Sequence, residues 1–280
     1  MIITYGNACF YYYEDEFGLI LDFIPHDTNS WLSERVCPSE YRDFTENKIV
    51  FFSIVKNADL PHVPIFFHKE NGKTEIFSSE VDLFHDVIEK PNWGLQGSKV
   101  SFYEAIIPDH AKEGFLYQPK IENHSYLKQL ANTKASNTVR ILTYLSNSNE
   151  IHVLSSLIRL SINSGFTDNL VNGGIAVGIH KLNGQLNAIG LDNRGNKVVK
   201  HPQGSFEFKG AQIPFWKETI ELVEKAALIF KETRLIGWDI IISEKGPVIL
   251  EANRKSSLYL SQSQGEVFYN SIYIQENMKF

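Results

Sequence analysis

Residues 237–253 read GWDIIISEKGPVILEAN, and this stretch decides the fold. Two apolar runs flank residues 244–246 (EKG), a pattern that predicts a β-hairpin with a short loop. If the loop contains these three residues, Asp239 pairs directly with Glu251 across the two strands. Asn253 follows two residues later and therefore lies on the same face of the hairpin.

The two facing carboxylates predict a site for a divalent cation. Carboxylates that face each other on apolar strands repel, and partial burial strengthens the repulsion. Mg²⁺ removes this conflict, because it takes carboxylate, amide and phosphate oxygens as ligands. Asp239, Glu251 and Asn253 are therefore candidate metal ligands. A loop of another length would instead turn one carboxylate towards solvent.

A second stretch, KPNWGLQGSK at residues 90–99, has the composition of a phosphate-binding loop. Glycines let backbone N–H groups approach phosphate oxygens, and a lysine adds a positive charge. The Gly-Lys-Ser/Thr order of a P-loop is absent. A plain turn between strands explains the same glycines, so this segment alone leaves both interpretations open.

Composition excludes several classes of protein. The 280 residues are 43% hydrophobic and 12% aromatic, which excludes a disordered chain. The net charge of -6 argues against a general nucleic-acid binder, because such proteins carry a basic surface. Cys9 and Cys37 lack metal-ligand spacing, and no apolar run reaches the ~20 residues of a membrane span. Residues 1–7 lack the pattern of a signal peptide, so we expect a cytoplasmic protein.

Local patterns alternate between helix and strand without a regular βαβ order. Apolar spacing predicts a helix over residues 43–57, a short helix over 80–89 and an amphipathic helix over 215–232. The dipeptide Asn71-Gly72 lies between two β-prone runs and predicts a tight hairpin. Blocks of strands with a few helices indicate an α+β fold.

In their order and spacing, several motifs resemble the ATP-grasp superfamily over residues 43–262. The branch they resemble is described as sugar-transfer associated or α-L-glutamate-ligase-like. The motifs are ENK at 46–48, KPNWGLQGSKVSF at 90–102, NTVRILT at 137–143, DNLVNGGIAVGI at 168–179, HPQGSFEFKGAQIPFW at 201–216, GWDI at 237–240 and GPVILEAN at 246–253.

The resemblance implies an α+β fold in which two α+β subdomains clasp ATP. Residues 43–117 match the small subdomain with its Gly loop, and residues 118–280 match the large subdomain with the metal-binding hairpin. Residues 1–42 are too few for the usual N-terminal domain and would form a much reduced N-terminal segment. Because that domain often helps to form the acceptor site, we expect either a small acceptor or a partner chain, such as a second copy in a homodimer, that completes the site.

The resemblance also implies roles for individual residues. Asp239, Glu251 and Asn253 match the family's metal ligands, and Lys48 and Lys90 match its two nucleotide lysines. The loop that closes over the phosphates and the strand whose backbone reads adenine match further residues. These are Gly97, Ser98 and Lys99 in the loop, and Gln118, Pro119, Lys120 and Ile121 in the strand.

Arg140 and Lys90 are the candidate catalytic residues. Arg140 matches the arginine of the family's Asn-Thr-x-Arg motif, which faces the phosphates, although a salt bridge within the sheet explains it equally well in isolation. Lys48 has a plain alternative as a solvated helix lysine. Gln118 stands where many members have an acidic residue, so we expect adenine contacts there through the backbone.

The implied chemistry is ATP-dependent ligation of a small carboxylate to an amine, with Mg²⁺ or Mn²⁺ as the metal. Asn172 and Arg254 are candidates for contacting this substrate, and each has a plain alternative as part of a turn or a solvated loop. By resemblance, the pathway is surface-polysaccharide or peptide-like metabolism. Two other functions remain open at this point, an ATP-dependent kinase of a small acceptor and a non-catalytic nucleotide-binding partner protein.

Overall fold

The computed structural model describes residues 2–5, 8–11, 24, 26–78, 84–94, 99–162, 174–266, 268 and 271–277. The strands are β1 Ile2–Tyr5, β2 Ala8–Tyr11, β3 Phe67–Glu70, β4 Lys73–Ile76, β5 Phe84–Pro91, β6 Ser101–Ile106, β7 Phe115–Pro119, β8 Thr138–Leu145, β9 Ile151–Leu160, β10 Ile175–Gly178, β11 Gly190–Asp192, β12 Lys197–Val198, β13 Leu235–Ser243 and β14 Gly246–Arg254. The helices are α1 His26–Val36, α2 Asp43–Glu46, α3 Lys48–Asn57, α4 Ser125–Leu130, α5 Trp216–Ile229, α6 Tyr259–Ser263 and α7 Ile272–Asn277.

Two antiparallel sheets carry most of the strands. A five-stranded sheet has the order β4-β3-β7-β5-β6, and a seven-stranded sheet has the order β12-β11-β10-β9-β8-β13-β14. Strands β1 and β2 form a separate antiparallel pair. The predicted α+β class is therefore confirmed. No helix among the described residues is long and apolar enough to cross a membrane.

The division of the chain at residues 42 and 117 stays a prediction. The second boundary falls within β7, because the last strand of the five-stranded sheet runs to Pro119. The two sheets are joined beside β14, where His62 forms a parallel bridge with Ile249. The backbone N–H of Val63 donates to the carbonyl of Ile249, and the N–H of Ile249 donates to the carbonyl of Pro61.

The predicted helix over 43–57 is present as two helices. The break lies at Asn47, which is extended and whose side chain accepts hydrogen bonds from the N–H groups of Ile49 and Val50. Asparagine satisfies the free N–H groups of a first helical turn well, so a new helix begins here. Lys48 is consequently the first residue of α3.

The five-stranded sheet confirms one hairpin prediction and corrects one helix prediction. Asn71 and Gly72 both have positive φ angles and form the tight turn between β3 and β4. The predicted helix over 80–89 is wrong, because residues 84–89 belong to β5; residues 79–83 lie outside the described residues. Strands β6 and β7 pair with the two edges of β5, and this pairing overrides a weak helical pattern.

The seven-stranded sheet is covered on both faces. Helix α5 packs on one face, where Val223 contributes to the core around the fully buried Trp238. On the other face, α1 and α7 pack against one end of the sheet through Leu32 and Tyr273. Alternation along β8 and β13 places Arg140 and Asp239 on this second face. The charged residues of the hairpin therefore lie beside the N-terminal segment of the chain.

Arg254 ties β14 to that segment, a role different from the predicted contact with substrate. Its Nε donates to Glu46 Oε1 at 2.8 Å, and its Nη1 donates to the carbonyl of Cys37 at 2.7 Å. Only 7% of the Arg254 side chain is exposed. Its guanidinium group is thus engaged within the protein, and the sequence missed this because Glu46 and Cys37 are distant along the chain.

Replacing Arg254 with methionine should lower the free energy of unfolding by about 2 kcal/mol, because Glu46 Oε1 and the carbonyl of Cys37 would lose their donor and only Arg42 would still bond to Glu46. Urea denaturation followed by circular dichroism measures this change. Lys217→Met, at an 86% exposed side chain, is the control and should shift stability by less than about 0.5 kcal/mol. An Arg254→Met variant as stable as the control would show that the hydrogen bonds of Arg254 to Glu46 and Cys37 contribute nothing to stability.

Candidate active site

The two carboxylates of the β13–β14 hairpin face each other. Asp239 pairs with Glu251 and Gly237 pairs with Asn253. The turn that connects the two strands is shorter than the predicted three-residue loop. Ser243 pairs with Gly246 at the turn, which leaves a two-residue connection, and the register then shifts between Asp239 and Ile240. Leu250 is an extra, unpaired residue on β14, and this β-bulge shifts the register by one residue so that Asp239 pairs with Glu251.

Asp239 is buried between two arginines. Arg140 lies directly opposite it on β8 and donates from Nε to Oδ1 at 2.5 Å and from Nη2 to Oδ2 at 2.9 Å. Arg159 Nη2 lies 3.1 Å from Oδ2. Burial alone would raise the pKa of Asp239, but the two guanidinium groups outweigh it and hold the pKa well below its usual range. Asp239 is therefore an anion at neutral pH.

The donor set of the hairpin fits Mg²⁺. Asn253 Nδ2 lies 3.3 Å from Asp239 Oδ2 and 3.5 Å from Glu251 Oε1, so the three side chains converge. Two carboxylates and an amide supply the hard oxygen ligands that Mg²⁺ prefers, once the amide turns its oxygen inward. Among the described residues there is no group of three or more His, Cys, Asp or Glu side chains that could hold a metal ion. The amide and further ligands from a phosphate would therefore have to complete the shell.

Lys48 is the first residue of α3, and Lys90 lies on β5 of the five-stranded sheet. The charge of Glu251 acts on both lysines. Burial lowers the pKa of Lys48, and the charge of Glu251 opposes this effect. Burial lowers the pKa of Lys90 to about 8, again opposed by Glu251. Lys90 is only 8% exposed, and its ammonium group makes no hydrogen bond or salt bridge with any described residue. Desolvation disfavours the charged form of the Lys90 side chain, so an anionic ligand at this position would stabilise the ammonium group.

Asn92 connects the two lysine-bearing elements, a role that the sequence did not reveal. Its carbonyl accepts from the backbone N–H of Lys48 at 3.2 Å, and its Oδ1 accepts from Ile49 N–H at 3.2 Å. Lys48 Nζ donates to the carbonyl of Gly94 at 3.0 Å. The start of the Gly-containing loop is thus fixed to the first turn of α3. Of the predicted loop residues, Gly97 and Ser98 lie outside the described residues, and Lys99 is exposed.

The segment predicted to read adenine has part of its backbone already engaged. The Lys120 N–H donates to the carbonyl of Asp86 at 2.7 Å, and the Ile121 carbonyl accepts from Ser136 Oγ at 2.6 Å. Gln118 is buried, and its Nε2 donates to the carbonyl of Val63 at 3.2 Å. The Gln118 side chain therefore holds β7 to the segment that joins the sheets. Pro119 ends β7.

Arg159 is the main functional candidate that the sequence analysis did not single out. It is anchored by Thr138 Oγ1, which accepts from its Nη2 at 2.6 Å and from its Nε at 3.1 Å. The signal was present, since an arginine stands in a strand whose neighbours are buried and apolar. Asn172, the other predicted substrate residue, lies outside the described residues.

Cationic and carboxylate side chains thus converge from both sheets. Among the described residues, the cationic side chains of Lys48, Lys90 and Arg140 lie at the carboxylates of the hairpin. This arrangement suits a polyanionic ligand such as a polyphosphate.

Comparison with known proteins identifies the family. The sequence profile of the sugar-transfer associated ATP-grasp family matches residues 106–272, which is more than half of the chain. No curated protein matches the sequence. Many solved structures match the fold at low sequence identity.

Three of these structures are the following. Biotin carboxylase from Campylobacter jejuni matches with a TM-score of 0.52 at 10% identity, over 91% of this chain and 52% of that chain. An N5-carboxyaminoimidazole ribonucleotide synthetase solved with ADP matches with a TM-score of 0.51 at 11% identity, over 92% of this chain and 58% of that chain. L-amino acid ligase from Bacillus licheniformis matches with a TM-score of 0.45 at 13% identity, over 76% of this chain and 41% of that chain.

The chain thus spans between two fifths and three fifths of the length of these structures. The profile match covers β7 to β14, which include the facing carboxylates and both arginines. The chain belongs to the sugar-transfer associated ATP-grasp family.

Proposed function

We propose that this protein is an ATP- and Mg²⁺-dependent ligase that joins a small carboxylate to an amine through an acyl phosphate. The observation that carries the proposal is the desolvated side chain of Lys90, only 8% exposed, beside the facing carboxylates Asp239 and Glu251. A polyphosphate with a divalent cation satisfies both features at once. Family membership supports ATP as the polyphosphate.

Each residue has a distinct part in this proposal. Asp239, Glu251 and Asn253 would hold Mg²⁺ or Mn²⁺, which when bound neutralises charge on the phosphates. Lys48 and Lys90 would bind phosphate oxygens, and Arg140 would face the phosphoryl group that is transferred. The remaining contacts are assigned by sequence. Gly97, Ser98 and Lys99 would cover the phosphates, the backbone of residues 118–121 would contact adenine, and Asn172 would contact the acceptor.

The reaction needs no protein nucleophile. An oxygen of the acceptor carboxylate forms a bond with the γ-phosphorus, the bond to the β,γ-bridging oxygen breaks, and ADP leaves with the electron pair. An amine then attacks the acyl carbon, loses a proton and displaces inorganic phosphate. The cations of the site lower the barrier by stabilising the charge on the transferring phosphoryl group. A ligase of this class would act in the cytoplasm, with surface-polysaccharide or peptide-like precursors as the substrates suggested by resemblance.

Removing both facing carboxylates should abolish turnover. The double variant Asp239→Asn and Glu251→Gln should lose at least about 100-fold in acceptor-dependent ADP release, because the metal site is lost. The assay offers hydroxylamine as the amine with a panel of small carboxylates, and it measures both ADP and the hydroxamate formed. The matched control, Glu104→Gln with Asp109→Asn, changes two exposed carboxylates and should retain activity.

The products separate the proposed reaction from its alternatives. Hydroxamate with stoichiometric ADP and phosphate supports ligation. A stable phosphorylated acceptor would instead identify a kinase, and tight MgATP binding without turnover would identify a nucleotide-binding partner protein. Unchanged ADP release in the double carboxylate variant would contradict the assignment of the metal site.

The affinity for nucleotide should depend on the charge of Lys90. Its pKa lies at about 8, so the ammonium group is charged below that pH and loses its proton as the pH rises through it. The affinity for metal-free ADP should therefore be constant near pH 7 and fall by up to about tenfold for each pH unit above 8. Fluorescence titration with a labelled ADP in the presence of a chelator measures this dependence.

Lys90→Arg provides the matched control, because arginine stays protonated throughout this range. This variant should show a smaller fall in ADP affinity between about pH 7 and pH 9 than wild type, with Lys48 as the remaining lysine whose pKa is lowered by burial. A wild-type affinity that does not change across the same range would show that Lys90 does not contact the nucleotide.

A further inference from the structure

The side chain of Asn92 is buried with one end of its amide in use and the other end unpaired. Asn92 is only 2% exposed, and its Oδ1 accepts a hydrogen bond from the backbone N–H of Ile49 at 3.2 Å. Within the part of the chain that the structure describes, its Nδ2 has no hydrogen-bond partner. Buried donors of this kind are rare, because leaving them unpaired is costly. The Asn92 amide therefore calls for an acceptor.

The two ends of this amide cannot exchange places. A backbone N–H only donates, so the oxygen of Asn92 and not its nitrogen faces Ile49. Asn47, the N-cap of α3, accepts from the same N–H through its Oδ1 at 3.1 Å. The first turn of α3 thus has an acceptor besides the Asn92 side chain. Capping of α3 therefore does not account for the buried Nδ2.

Asn92 lies next to both lysines of the site. It follows Lys90 by two residues, and its carbonyl accepts from the backbone N–H of Lys48 at 3.2 Å and lies 3.5 Å from Lys48 Nζ. Its own N–H donates to the carbonyl of Gly114 at 2.8 Å. Burial lowers the pKa of Lys90 most, and the charge of Lys48 lowers it further, so the two ammonium groups act on each other. The unpaired donor therefore belongs to the same group of side chains as the two cations.

A phosphate oxygen is the acceptor that suits this position. Two lysines beside the donor favour an acceptor with negative charge, and hydrogen bonds to such an acceptor are stronger than those between neutral groups. A lysine ammonium group is a point charge on a flexible stem, so it sets little direction. The Asn92 amide is held by its backbone and by Oδ1, so its free N–H groups keep a fixed direction.

We propose that Asn92 binds the nucleotide through a hydrogen bond from its Nδ2 to a phosphate oxygen, beside Lys48 and Lys90; this rests on nucleotide binding in the proposed function. The lysines supply charge, and Asn92 fixes the position of one phosphate relative to β5. The side chain then has two roles, since Oδ1 supports the start of α3 and Nδ2 holds the ligand.

Three variants separate the donor from the helix cap and from added charge. Asn92→Asp keeps an acceptor for Ile49 and replaces the donor with a carboxylate oxygen, whereas Asn92→Ala removes the amide without adding charge. Asn47→Asp is the matched control, because it makes the same change from amide to carboxylate at the half-buried N-cap of α3. Calorimetry measures the affinity of each protein for ADP with Mg²⁺, and circular dichroism reports whether each is folded.

Asn92→Ala should weaken ADP binding by at least about tenfold, because one hydrogen bond to a charged oxygen is lost. Asn92→Asp should weaken it further, since a carboxylate repels the phosphate. Asn47→Asp should stay within about threefold of wild type, because its carboxylate still caps α3 and the N-terminus of a helix favours negative charge. If Asn92→Ala does not fold, the two Asp variants decide the question, because both keep their acceptors.

Three results would overturn the role of Asn92. The first is an ADP affinity of Asn92→Ala that matches wild type, even where Asn92→Asp binds more weakly, because the loss would then come from charge alone. The others are a loss in Asn47→Asp as large as that in Asn92→Asp, and a wild-type protein that binds no ADP. The ligase function fails in a different way. If Asn92→Ala loses ADP affinity as expected and wild type forms no hydroxamate, the phosphate contact stands and the ligation does not.

Discussion

The buried carboxylate of Asp239 sets the conditions that the rest of the site must meet. An ionised carboxylate inside a sheet is stable only if cations and hydrogen-bond donors surround it. Arg140 supplies two of these donors from the adjacent strand, and it can do so only in the register in which it faces Asp239. The bulge at Leu250 then brings Glu251 opposite the same carboxylate. The pairing of β8, β13 and β14 therefore depends on how the charge of Asp239 is balanced.

The cations of the described residues differ in how they are balanced. The arginine neighbours hold Asp239 in its charged form, whereas desolvation disfavours the charged form of Lys90. The Lys90 ammonium group would therefore be stabilised by an anionic ligand. The site is also shared between both sheets, since Lys90 lies on β5 while the carboxylates lie on β13 and β14. Arg254 stabilises this assembly by holding the N-terminal segment to β14.

Local patterns were sufficient to predict the parts of the site that depend on a short segment. The pairing of Asp239 with Glu251 follows from one hairpin, although the turn is shorter than predicted and a bulge restores the register. The hairpin at Asn71-Gly72 follows from the positive φ angles that this dipeptide tolerates. In both cases the residues that decide the geometry lie within a few positions of each other.

Features that depend on distant residues could not be predicted in this way. Residues 84–89 form a strand because β6 and β7 pair with them, and no local pattern reports those partners. The sequence made Arg254 a candidate for contacting substrate, whereas in the structure it donates hydrogen bonds to Glu46 and to the carbonyl of Cys37. Arg159 reaches Asp239 across an intervening strand, so its role depends on the order of strands in the sheet.

A structure with MnADP, using the anomalous scattering of manganese, tests the central claim most directly. The account predicts the ion between Asp239 and Glu251, with the phosphates beside Lys48 and Lys90. A nucleotide bound elsewhere, or a manganese ion that does not contact either carboxylate, would contradict it.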